Sequence, residues 1–176
     1  MPEPTLLHDL AALLRSRGVR PVVSPDRVAP STVYDTTYRT AILACAFELH
    51  TKVDLSNAKR IQTARLKLLQ FVAIRPWLVA VLREWSAARN TQLGMSSSQR
   101  ARRGFLGDTM YDRLIDYLVA QEILSQTRTH LIIGTRGDVL QHIFSAVTKD
   151  NLFTAERSAL MEMATIRITN DMLEGW

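Results

Sequence analysis

The stretch Tyr111-Asp-Arg-Leu-Ile-Asp-Tyr-Leu-Val-Ala-Gln-Glu-Ile-Leu124, followed by Ser125-Gln-Thr-Arg-Thr-His-Leu-Ile-Ile-Gly134, decides the fold. Asp108 or Thr109 can cap a helix here, with Met110, Tyr111, Leu114, Ile115 and Leu118 as its apolar stripe through Ile123. The period then shortens. Leu124 to Thr127 reads as a strand, Arg128-Thr129 as a turn, and His130 to Gly134 as the returning strand. A helix running directly into a small hairpin is the way a winged helix-turn-helix closes.

Upstream, Leu6, Leu7, Leu10, Leu13 and Leu14 mark a short first helix stopped by Gly18, and a loop with Pro21, Pro25 and Pro30 follows. Tyr34, Tyr38, Ala41, Ile42, Cys45 and Leu49 share a face of a second helix ending near Thr51. A third is expected from a Ser56 cap to Ile74, with Ile61, Ala64, Leu68, Phe71 and Val72 inward and Lys59, Arg60, Thr63, Lys67 and Gln70 outward. Pro76 starts a fourth helix carrying Trp77, Val81 and Trp85. Residues 90–106 break all periodicity and form a long loop. Downstream, Val139, Leu140, Ile143, Phe144 and Val147 define a sixth helix, and Phe153-Thr-Ala-Glu opens a seventh. The fold class is mainly α, a helical domain with a winged-helix-like β-hairpin. Residues 1–176 form one domain: an N-terminal helix and loop over 1–32, a helical core with the hairpin over 33–134, and C-terminal helices over 135–176.

At 176 residues and 47% apolar content the chain can build a real core, which argues against disorder. A mean hydropathy of -0.03 and the lack of an apolar run of membrane-spanning length argue against a membrane protein. Met1-Pro-Glu-Pro lacks a basic n-region, so the expectation is a cytoplasmic protein. Cys45 is the one cysteine and reads as a small core residue.

The net charge of +5 invites a nucleic-acid reading until it is resolved along the chain. Residues 1–51 are neutral, residues 52–107 carry eleven bases against Asp54 and Glu84 for a net of +9, and residues 108–176 carry a net of -4. Lys59, Arg60 and Lys67 on the third helix, Arg100, Arg102 and Arg103 in the long loop, and Arg128 at the wing tip are the candidates to meet a DNA backbone. Asp108, Asp112 and Asp116 recur at i, i+4 and i+8. They read as a solvated acidic stripe and a candidate partner interface, with a metal or acid/base pair as the sharper alternative. Three carboxylates on the helix that would have to read DNA disfavour base readout, since phosphates repel them. Trp77 and Trp85 read as core packing, and terminal Trp176 as exposed or bound to a partner.

No nucleotide-loop, zinc, dinucleotide or esterase motif occurs. His8, His50, His130 and His142 are scattered, and Gly134-Thr-Arg-Gly137 can cradle a phosphate but more commonly marks a turn. Neither a catalytic residue nor a cofactor is expected.

Three segments together, Tyr34-Asp-Thr-Thr-Tyr-Arg-Thr-Ala-Ile-Leu, Lys59-Arg-Ile-Gln-Thr-Ala-Arg-Leu-Lys-Leu-Leu-Gln-Phe-Val-Ala-Ile-Arg-Pro-Trp-Leu and the stretch from Tyr111 with its hairpin, give a pattern over roughly residues 33–140. It resembles the small middle components of bacterial three-component ABC-ATPase systems, of which the Lamassu anti-phage systems are the best known. The resemblance implies a non-enzymatic adaptor between an SMC-like or Rad50-like ATPase and an effector subunit, often a nuclease; DNA-backbone contact, read from the basic residues, and a homodimer are expectations independent of it. A winged-helix DNA-binding transcriptional regulator is the competing reading.

Overall fold

The computed structural model describes residues 35–53, 59–87, 104–105, 107–168 and 173. The expected first helix, the proline-containing loop, the loop arginines Arg100, Arg102 and Arg103, the Trp85 side chain and Trp176 lie outside the described part.

Helix α1 (Thr36–His50) begins where the Asp35 carboxylate accepts the amides of Thr37 and Tyr38, at 2.7 and 3.0 Å. Its buried residues run without interruption from Ala41 to Phe47, so every face is covered, as befits a central helix rather than a surface one. Leu49, expected on the inner face, is exposed. Strands β1 (Lys52–Val53) and β2 (Lys59–Gln62) follow, then α2 (Thr63–Ala73) and α3 (Leu78–Ala87). Helix α4 (Thr109–Ala120), strands β3 (Leu124–Gln126) and β4 (His130–Ile133), α5 (Asp138–Lys149) and α6 (Thr154–Ala164) complete the order. Helices α2, α5 and α6 all pack on α1, and one core takes in residues from Tyr38 to Leu173. The C-terminal helices are thus part of the same core as the segment before them.

The hairpin closes as its sequence predicts, but it is wider than two strands. The antiparallel sheet has the order β1-β2-β4-β3, with Arg60 opposite Ile132 and Ile61 opposite Leu131. This corrects the expected third helix, which starts at Thr63 and not at Ser56. Ile61 fits either a helical or an alternating pattern, and burying it against Leu131 while pairing the backbone with β4 satisfies both core and ladder. Lys59 and Arg60 therefore lie on a strand, and Gln70, expected outward, is buried with its Nε2 donating to the Arg39 carbonyl at 2.8 Å.

Three bonds tie the hairpin, α4 and the start of α2 together. The Thr63 amide donates to the Thr129 carbonyl at 3.0 Å, the Tyr111 hydroxyl donates to the Thr63 carbonyl at 3.2 Å, and the Gly134 amide donates to the Ile123 carbonyl at 3.0 Å. Helix α4 thus stands directly before the wing, with its N-terminal half beside the start of α2.

Candidate interaction surface

The face that α4 turns outward is set by its burial. Tyr111, Leu114, Ile115 and Leu118 point into the core, and burial pushes the Tyr111 hydroxyl far above the usual tyrosine range. The opposite side carries two stripes at i, i+4 spacing: Asp112, Asp116 and Ala120, and beside them Arg113, Tyr117 and Gln121. Tyr117 is 55% exposed.

The acidic stripe is not one surface. Asp108 is buried, and both its oxygens accept from Nη1 of Arg39, itself 1% exposed, at 2.9 and 3.0 Å. A hydrogen-bonded pair of this kind offsets the desolvation of each partner, and the carboxylate is spent on folding. Asp112 accepts from Lys67 Nζ at 3.0 Å on both oxygens, and that ammonium also lies 5.7 Å from the Phe105 ring centroid and 5.5 Å from that of Tyr111. Only Asp116 of the three projects without an ion pair among the described residues.

The basic candidates on described residues lie on α2, on β2 and at the tip of the hairpin. Lys67 is committed to Asp112, and Lys59 donates to Glu48, whose other oxygen is buried. Arg60 is exposed on β2, and Arg128 is exposed at the tip of the hairpin. Gly104 and Phe105, which follow the loop arginines in the chain, are anchored by the Phe105 ring set edge-on to Phe71 at 5.7 Å.

The other candidate sites resolve into structure. In the Gly134–Gly137 turn the Gly134, Arg136 and Gly137 amides donate to the carbonyls of Ile123, Glu122 and Gly134. A phosphate would find those donors taken and the Glu122 carboxylate nearby, so the segment is the turn that its pattern more commonly marks. His50 Nε2 lies 2.9 Å from the Leu160 carbonyl, and burial holds its pKa below the ordinary histidine value. His130 Nδ1 lies 2.8 Å from Thr129 Oγ1, and His142 lies 3.8 Å from Asp138. Among the described residues no three acid, histidine or cysteine side chains gather to hold a metal. Cys45 is fully buried, and burial pushes its thiol up to about 11. Buried Tyr38 donates to Glu156 Oε1 at 2.8 Å inside the core, where burial and that carboxylate raise its pKa.

Two exposed aromatic side chains were not anticipated. Trp77, expected in the core, is 63% exposed at the turn between α2 and α3, because Leu78, Val79 and Leu82 are the residues that α3 buries. Tyr117 sits beside the acidic stripe of α4, and its i+4 relation to Arg113 and Gln121 is the signal in the sequence.

No family model, no curated protein and no solved structure matches the chain.

Proposed function

We propose that this chain is a non-enzymatic adaptor subunit that bridges an SMC-like ATPase and an effector, in the manner of the Lamassu-type middle components its sequence resembles. The exposed side of α4 carries the reading. It occupies the place before the wing where a winged-helix protein keeps its DNA-reading helix, yet it presents Asp112, Asp116, Arg113 and an exposed Tyr117 rather than a basic face. Tyrosine and arginine are residue types enriched among the anchors of protein interfaces. No helix among the described residues is long and apolar enough to cross a membrane. A cytoplasmic location is part of the same proposal.

Coexpression with an SMC-like ATPase and a nuclease of such a three-component system tests the reading, and finding no such genes beside this one counts against it. Tyr117→Ala combined with Arg113→Glu should reduce recovery of the complex at least tenfold while leaving the far-UV circular dichroism intact. A complex that survives this double substitution rejects α4 as the docking face.

The regulator reading has its own observation, the β3-β4 hairpin that follows α4 and pairs with β2, with Arg128 exposed at the wing tip. It requires tight, sequence-selective duplex binding by the isolated chain.

A further inference from the structure

Where α4 ends, the chain turns back into β3 beside an open groove of about 600 Å3. Val119, Leu124 and Ile133 make its apolar wall, and Glu122, Ser125 and Thr135 make its polar rim. Glu122 stands at the residue after the helix cap with φ of 58°, in the left-handed region that favours glycine. The backbone there behaves as a glycine-capped end: the Glu122 amide donates to the Val119 carbonyl and the Ile123 amide to the Leu118 carbonyl. A glutamate holds this position at a cost in stability, so its side chain is what distinguishes it from the better-suited residue.

That side chain is aimed. The Thr135 hydroxyl donates to Oε2 at 2.7 Å, and among the described residues Glu122 forms no ion pair, even with Arg136, whose amide donates to the Glu122 carbonyl.

We propose that this groove takes a short basic segment of a partner protein, an aliphatic side chain resting on Val119 and Ile133 and an adjacent lysine or arginine meeting Glu122. The proposal rests on the adaptor reading, and it names the chemistry of one partner contact. Complementary charge beside an apolar pocket selects such a segment over an acidic one.

The test uses the full chain and a fluorescein-labelled hexapeptide of alternating leucine and arginine, with a leucine and glutamate hexapeptide as its counterpart. Anisotropy should show saturable binding of the basic peptide and at least tenfold weaker binding of the acidic one, and amide shifts on binding should centre on Val119, Glu122, Ile133 and Thr135. Glu122→Gly is the decisive variant: its unfolding temperature should rise while its affinity for the basic peptide falls at least tenfold, so that misfolding cannot account for the loss. Arg136→Ala should tighten binding. Equal affinity for both peptides, unchanged affinity in Glu122→Gly, or shifts centred elsewhere would each overturn the proposal. So would groove shifts that grow with protein concentration alone, or that follow a duplex oligonucleotide instead of the peptide. If peptide binding fails while Tyr117→Ala with Arg113→Glu still dissolves the ATPase complex, the groove assignment falls and the adaptor reading stands.

Discussion

His50 ends α1 beside the Leu160 carbonyl, and its imidazole is held neutral by burial with the Arg65 guanidinium as a further cause. In the unfolded chain the same ring takes a proton near pH 6.5. The folded state therefore binds fewer protons just below that pH, and the contribution to stability, complete above 6.5, is lost as pH falls through the depressed folded value. His50→Gln keeps a donor for Leu160 and cannot titrate. The unfolding temperature of the wild type minus that of the variant should shrink between pH 7.5 and pH 5; a constant difference would assign the acid sensitivity elsewhere. At this scale legibility follows sequence distance. Cys45 was readable as core because its neighbours on the helix are small and apolar. Arg39 and Asp108 were not, since each looks like an ordinary surface charge and the partner that buries it lies 69 positions away.

Local period is a good guide to an element only when one period fits. The wing was readable from Leu124 to Gly134 because alternation and a turn replace the helical stripe there. Residues 59–62 were not, because Ile61 satisfies helix and strand alike and only pairing with β4 decides between them. The wing also depends on two glycines with different tolerances. A Cβ on Gly134 would lie 2.2 Å from the Glu122 carbonyl oxygen, which is backbone fixed by the end of α4. On Gly137 the nearest atom, at 2.4 Å, is Cγ2 of the Ile133 side chain, stiff at its β-branch but still easier to shift than backbone. Gly134→Ala should destabilise the fold by about 2–3 kcal/mol and Gly137→Ala by roughly 1 kcal/mol, the range of overpacked sites. Urea denaturation measures both, and equal losses would show that the carbonyl at Glu122 yields as readily as a side chain.

Across the whole molecule the charge division of the sequence, neutral then +9 then -4, is partly an instruction for folding. Lys59 with Glu48, Lys67 with Asp112 and Arg83 with Glu162 each join the basic middle to a flanking segment. An exposed pair such as Arg83 with Glu162 is worth little, about 0–1 kcal/mol, so these pairs reveal where charge is consumed more than what holds the fold. The same accounting separates the candidate DNA contacts. Each phosphate neutralised on duplex DNA contributes about 0.9 to the slope of log affinity against log salt. Lys67 already serves Asp112 and the Phe105 and Tyr111 rings, so Lys67→Ala should leave that slope unchanged while lowering the unfolding temperature. Arg128, exposed at the wing tip, has no such commitment among the described residues, and Arg128→Ala should reduce the slope by about 0.9 with the unfolding temperature unchanged. Duplex binding followed from 50 to 200 mM salt reads both variants. A lower slope in Lys67→Ala would mean that its ammonium exchanges Asp112 for phosphate, and the +9 segment would then be a nucleic-acid surface and not an internal counterpart to the acidic flank.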